Sequence, residues 1–130
     1  MRDIFKTGDK KEFKRRIELK DIASFDDGDV HQVYATFALG RDAEWCCRLF
    51  VLDVKEENEE GIGTFLTVTH HSPALLNEEV KFEATIKSLQ NHELICTFIA
   101  NVGERLIASG ETGQKVIKKE RLQQLFDSIK

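Results

Sequence analysis

The strongest constraint in this chain is a single change of hydrophobic period. From about Leu39 to Val54, the apolar residues Leu39, Ala43, Cys46, Cys47, Phe50 and Val54 recur every three or four positions. That is one stripe of an α-helix. Trp45, Leu49, Val51 and Leu52 add apolar surface off the stripe, so this helix is expected to be buried on more than one side. After Gly61 the period drops to two and stays there nearly to the end. One long buried helix followed by consecutive strands leaves few architectures open. Strands joined by short turns pair antiparallel, and a single helix backed by such a sheet is an α+β layer.

The β half reads strand by strand. Ile62–His70 places Leu66, Val68 and His70 on one face and Phe65, Thr67 and Thr69 on the other. Val80, Phe82, Ala84 and Ile86 alternate with Lys81, Glu83, Thr85 and Lys87, the pattern of a half-buried strand. Gln90-Asn91-His92 is a turn, and Leu94–Val102 is apolar on both faces, which predicts a central strand covered on both sides. Gly103 marks a hairpin before Arg105–Lys118, where Gly110 and Gly113 suggest bends or bulges. Upstream, Phe13–Leu19 is expected as a first strand and the acidic stretch Asp21–Asp29 as a loop. Leu122, Leu125, Phe126 and Ile129 close the chain as a short amphipathic helix.

The 130 residues suit a single domain spanning 1–130. Nineteen basic against 23 acidic residues give a net charge of −4, which lacks the basic field of a nucleic-acid binder. No segment approaches the ~18 uninterrupted apolar residues of a membrane span. Three cysteines, two of them adjacent, make no even disulfide framework. They point to a reducing compartment, the cytoplasm. No CxxC, no HExxH and no Cys/His ligand set appears, so no metal is expected.

Candidate chemistry concentrates at Gly63–Pro73, where hydroxyl residues and two histidines end a strand. His70 shares the Leu66/Val68 face; His71 falls on the other. A histidine on an apolar face is most often a hydrogen-bonded core residue, but imidazole also titrates where a general base must. Glu44 and Arg48 are spaced i,i+4 in the favoured order for a helix ion pair. The sharper reading turns Glu44 towards a cleft beside Trp45. Thr36 reads as an N-cap. In one straight helix, Thr36 and Glu44 would stand about 12 Å apart, so sharing a site would need a bend, which Gly40 would ease.

These segments together resemble the hotdog-fold thioesterases, and within them the fluoroacetyl-CoA thioesterase-like family. Val33–Gly40 with Ala43-Glu44-Trp45-Cys46 resembles the family's central helix, Gly63-Thr64 with Val68-Thr69-His70 its Gly-Thr…Val-Thr-His strand, and Ile107–Gly110 with Lys115–Ile117 its last strand. The match runs from about residue 30 to the end. The resemblance implies a long helix wrapped by a curved antiparallel sheet, with a short C-terminal helix. It implies a homodimer or a dimer of dimers with active sites at the subunit interface, and hydrolysis of a small acyl-CoA thioester without a separate cofactor. The family's catalytic roles fall on Thr36, Glu44 and His70, with Gly63 and Thr64 near the thioester and Gln114 in a substrate-contacting position. His70 would serve as base or nucleophile, positioned with its water by Glu44 and Thr36.

Two departures stand out. Gln114 occupies a place where the family commonly carries arginine. Ser24–Val30 lacks the phenylalanine-rich lid linked to fluoroacetyl selectivity, with Asp27 and Val30 at the matching places. Fluoroacetate resistance is therefore not expected. The competing class is a non-catalytic acyl-CoA-binding or structural dimer on the same fold. A hotdog dehydratase is disfavoured because its Asp-x4-His signature is absent.

Overall fold

The computed structural model describes residues 1–25 and 28–130, and the side chains of all but 24–31. Strand β1 (Lys10–Arg16) is followed by a 3-10 turn (Leu19–Asp21) and by strands β2 (Ile22–Phe25) and β3 (Gly28–Tyr34). Helix α1 (Thr36–Val54) leads into β4 (Glu59–His70), β5 (Glu79–Gln90), β6 (Glu93–Val102), β7 (Arg105–Lys118) and helix α2 (Lys119–Ile129). Strands β1, β4, β5, β6 and β7 form one antiparallel sheet in the order β1-β5-β6-β7-β4, and β2 pairs with β3 alone. Helix α1 contacts all five strands of the larger sheet, which wraps it. The expected α+β layout is present.

The core is the seam between α1 and the sheet's concave face. Ala38, Leu39, Ala43, Cys46, Cys47 and Phe50 of α1 meet Val80, Phe82, Ala84, Leu94, Cys96 and Phe98, all buried. Removing each large apolar side chain from water is worth about 1.5–3 kcal/mol, and this seam holds most of them. Val51, Val54 and Val116 form a smaller cluster at the helix C-terminus.

Several expectations need correction. The first strand lies three residues earlier than Phe13–Leu19, because Phe13 pairs with Phe82 and the pairing extends back to Lys10. Asp21–Asp29 is not one loop. It holds the end of the 3-10 turn, strand β2 and the start of β3, whose pairing is interrupted by register shifts that hide any alternation. Residues 26 and 27 of that stretch, and the Asp27 and Val30 side chains of the lid comparison, lie outside the described residues. Helix α1 starts at Thr36, not Leu39, and runs through Gly40 unbroken. Gly40 serves close packing instead: a Cβ there would come within 3.0 Å of Leu66 Cδ2.

Strand β6 is central, but only its inner face is covered in the protomer; outward-facing Ile99 is 41% exposed. Strand β7 continues through both its glycines. Gly110 and Gly113 instead make room for neighbours. A Cβ at Gly110 would strike the Thr67 carbonyl, and one at Gly113 the Phe65 ring. The bulge sits across the ladder in β4, at Thr64.

Candidate functional site

Helix α1 opens directly into the site. Its N-cap is Ala35 and no side chain caps it; Thr36 is the first helical residue, and its hydroxyl is used elsewhere. Thr36 Oγ1 lies 2.8 Å from His70 Nε2. Strand β4 delivers the histidine, since Leu66 and Val68 approach α1 at Gly40 and His70 follows on the same face. A cavity of about 400 Å³ opens here, lined by Tyr34, Thr36, His70, Ser72 and Pro73 among others. His71 also borders this cavity, but its ring turns to the outer face, where its Nε2 lies 2.7 Å from Ser109 Oγ.

Two turns further along α1, Glu44 lies over Gly63. A Cβ on Gly63 would sit 2.8 Å from Glu44 Oε1, so the glycine is a seat for the carboxylate. The helix pair expected between Glu44 and Arg48 does not form. Arg48 instead donates to Gly61 O and Glu60 Oε1, each at 3.2 Å, and to Gln114 Oε1 at 3.5 Å. Among the described residues, the Glu44 carboxylate has no hydrogen-bond or ion-pair partner. Gln114 is 1% exposed and donates to the Glu44 backbone carbonyl at 3.4 Å. The half-buried Arg48 guanidinium and the buried Gln114 amide thus fix the helix and the strand around Glu44 while leaving its carboxylate available.

The bulge puts both halves on one face. Seven positions separate Gly63 from His70, and strict alternation sends such a pair to opposite faces. Gly63 pairs with Gln114 and Phe65 with Gly113, so Thr64 is an extra residue opposite nothing. That single insertion restores the phase: Gly63, Leu66, Val68 and His70 all face α1. Thr64 itself is turned outward, where its hydroxyl donates to Glu93 Oε2 at 2.8 Å. It stands on the face away from Glu44.

Thr36, Glu44, His70, Gly63 and Gln114 therefore form two half-sites rather than one. Thr36 and His70 are bonded; Glu44, Gly63 and Gln114 are together. With α1 continuous from Thr36 to Val54, eight residues separate Thr36 from Glu44, a rise of about 12 Å.

Behind Thr36 lies a charged cluster that sequence reading did not find. Asp21 accepts from Arg15 (3.2 Å) and Arg41 (3.0 Å), Arg41 also donates to Asp42, and the Tyr34 hydroxyl donates to Asp42. The Ala35 N–H donates to Asp21 O at 2.8 Å, tying this cluster to the residue before Thr36. Burial raises the Asp21 carboxyl, but the Glu18 N–H and the two guanidiniums outweigh it and hold the group below its ordinary value. Burial, then the Asp42 carboxylate, drives the Tyr34 phenol upward. No motif announced this cluster, because its members are scattered over four elements.

The thiols are all free and buried. Burial pushes the Cys46 thiol up to about 12, the wrong direction for a nucleophile. Among the described residues, no three His, Cys, Asp or Glu side chains are grouped to hold a metal ion, and no helix is long and apolar enough to cross a membrane.

The chain is similar to several known proteins. A Thermus thermophilus hypothetical protein, described as a thioesterase superfamily member, matches with a TM-score of 0.92 and 27% identity over 98% of this chain and 94% of its own. A point mutant of the fluoroacetyl-CoA-specific thioesterase FlK matches with a TM-score of 0.88 and 21% identity, covering 99% of this chain and 100% of its own. A hot-dog-like protein from Thermanaerovibrio acidaminovorans matches with a TM-score of 0.86 at 15% identity over 95% and 92% of the two chains. No curated protein matches the sequence. The model of the fluoroacetyl-CoA-specific thioesterase family matches residues 17–120, all but the ends of the chain. With that match and this fold, the chain belongs to the fluoroacetyl-CoA-specific thioesterase family of hotdog thioester hydrolases.

Proposed function

We propose that the protein hydrolyses a small acyl-CoA thioester to the free acid and CoA, with Thr36, Glu44 and His70 carrying the reaction. One observation supports this most: a hydroxyl-bonded imidazole and an unpaired carboxylate over a glycine seat occupy the same sheet face. Water adds its oxygen to the acyl carbon, the C–S bond breaks, and CoA leaves as the thiol. His70, oriented by Thr36, takes the proton from water or attacks the carbonyl itself; Glu44 aligns the attacking group. A backbone N–H beside Gly63 can meet the developing oxyanion, because no side chain blocks that position. Gln114, in place of arginine, is buried with its amide spent on Arg48 and the Glu44 carbonyl, so its part is to hold Glu44 in position rather than to touch substrate. Complexes of FlK mutants with acetyl-CoA and with fluoroacetate and CoA support a CoA ester as substrate here. The three free thiols suit a cytoplasmic protein.

The distance between half-sites supports a homodimer. Strand β4 is a sheet edge, with Phe65 40% exposed and Leu66 equally so. An apolar edge of this length invites a second strand. A two-fold axis at Thr67 sets Leu66 opposite residue 68 and Phe65 opposite residue 69 of the second copy. The bulge then absorbs Thr64, and Gly63 falls opposite the partner subunit's His70. Each composite site would take Glu44 and Gly63 from one copy and Thr36 and His70 from the other.

The test is a panel of short, aryl and fluoroacetyl-CoA esters read by release of free thiol. Turnover of a small acyl-CoA, with fluoroacetyl-CoA given no preference, is the expected result. Saturable binding of every ester without thiol release would overturn the enzyme reading and leave a binding module.

A further inference from the structure

A cavity of about 650 Å³ lies apart from both half-sites. It lies on the outer face, between the start of β4, the end of β7 and helix α2, within the size range of small-molecule sites. Its walls are apolar: Ile62, Ile117, Leu122 and Leu125. Its rim is basic, carrying Lys115, Lys118, Arg121 and His92. The β5–β6 turn is held in place there by the Val116 N–H donating to His92 O at 2.8 Å.

The rim charge runs against the molecule. The chain carries a net −4, yet among the described residues Lys115, Lys118 and Arg121 have no ion-pair partner within 4.0 Å, unlike Lys10, Lys11, Arg15, Lys81 and Lys87. The acids nearby are engaged elsewhere. Glu59 accepts from the Glu56 N–H at 2.9 Å and from the Met1 amino group at 2.7 Å, and these contacts hold it below its ordinary value. Glu93, opposite Lys115 in the ladder, is taken by Thr64. The cavity therefore offers apolar walls for a flat group and uncompensated cations for phosphate.

Its position relates it to the reaction. Ile62 pairs with Lys115, and the next rung of the same ladder pairs Gly63 with Gln114. One rung lines the cavity; the next is the seat of Glu44. On the α1 side of this end of β4, Gly61 and Gly63 let Val51, Arg48 and Glu44 lie directly against the strand, and residues 59–62 lie beyond the stretch paired in the proposed dimer.

We propose that this cavity receives the phosphorylated nucleotide end of the coenzyme A ester, an inference that rests on the thioesterase reading above. The adenine packs between Ile117 and the Leu122/Leu125 face of α2. The phosphates meet Lys115, Lys118 and Arg121, and the pantetheine arm crosses the β4 edge from the Ile62–Lys115 rung to the Gly63–Gln114 rung to bring the thioester to Glu44.

The probe is adenosine 3′,5′-bisphosphate, titrated calorimetrically into the wild type, Lys115→Glu/Arg121→Glu, the milder Arg121→Gln, and Lys14→Glu as a distant control. The bisphosphate binds the wild type and the control alike, and the double variant weakens it by about tenfold or more, with Arg121→Gln intermediate. Acetyl-CoA hydrolysis shows the same variants raising KM with kcat unchanged, while hydrolysis of S-acetylpantetheine, which lacks the nucleotide, is unaffected. Equal bisphosphate affinity in wild type and double variant overturns the assignment. So does inorganic pyrophosphate binding as tightly as the nucleotide, which would mark a plain phosphate site. If the wild type turns over neither ester, the thioesterase reading fails, and the bisphosphate titration still decides what the cavity binds.

Discussion

Thr36 Oγ1 and His70 Nε2 are 2.8 Å apart although 34 residues separate them, and the threonine is freed for this contact because it does not cap its own helix. An N-cap hydroxyl accepts from amides one turn on and points along the helix axis. As the first helical residue, Thr36 points sideways, onto the end of β4. Imidazole orientation at the mouth of the cavity is thus set by where α1 begins. That starting point is in turn held by the Ala35 N–H on Asp21.

Gly63→Ala should sharply slow turnover while leaving the fold intact. The added methyl would lie 2.8 Å from Glu44 Oε1, the far end of a flexible side chain that can swing aside. The strand therefore tolerates the methyl, but the carboxylate loses its seat. We expect kcat/KM to fall by about a hundredfold, with a melting temperature within a few degrees of wild type. An unchanged rate would remove Glu44 from the site.

Asp21→Asn should cost stability at neutral pH and less in acid. The Asp21 side chain has no solvent exposure, and two guanidiniums depend on it. Removing one partner of a buried ion cluster costs about 3 kcal/mol or more. The carboxyl's folded value lies below its ordinary 3.8. Its contribution is therefore complete above that ordinary value and is lost as pH falls through the lower, folded one. Urea unfolding at pH 7 and near pH 3 should show the gap between wild type and variant narrowing in acid. A constant gap would mean that charge is not what Asp21 contributes.

The sequence revealed the elements better than their phase. The helix stripe, the strand carrying His70, the turn at Asn91-His92 and strand β7 were legible because burial imposes periods of 3.6 and two on their residues. Strands β2 and β3 were not, since register shifts between Ile22 and Ser24 erase alternation over a four-residue strand. For the site, composition and resemblance named Thr36, Glu44, His70, Gly63 and Gln114. Alternation counted from Gly63 misplaces His70 by one face, because the Thr64 bulge is a property of two strands and Gly113 is its only trace in sequence. Arg48 was misread for a related reason. Spacing on one helix favours Glu44, but Gly61 O, Glu60 and Gln114 on the sheet offer three acceptors at once. Tertiary partners outweighed a helix pair worth about 0.2–0.5 kcal/mol.

Thr67→Cys should cross-link the proposed dimer, and Thr69→Cys should not. With the two-fold axis at Thr67, both copies of that residue face each other across the β4 edges. Directly opposed strand residues have Cα atoms about 4.5–5.5 Å apart, within disulfide range. Residue 69 would oppose residue 65 instead. The native thiols do not interfere, since Cys46, Cys47 and Cys96 are buried. Mild oxidation followed by non-reducing electrophoresis reads the result. Cross-linking at 69 but not 67 would move the axis and separate Gly63 from the partner's His70.

His70, not His71, should be essential for turnover. The two are adjacent, yet His70 faces α1 and touches Thr36, whereas His71 faces outward and touches Ser109. Strand geometry allows only one of them to address the concave face that carries Glu44. Loss of a general base costs about 10²–10⁴-fold in rate, so His70→Ala should lose at least about a hundredfold in kcat/KM. Its fold should persist, because the side chain is exposed and its loss opens no cavity in the core. His71→Ala gives up one exposed hydrogen bond to Ser109, worth about 1 kcal/mol, and should keep its rate. Thr36→Ala should fall between them: the imidazole stays but is no longer held in orientation. Thioester hydrolysis by the three purified variants, with circular dichroism as the check on folding, decides the order. Equal losses at the two histidines would place the reaction on the outer face, beside Ser109, and would contradict the phase that the Thr64 bulge sets.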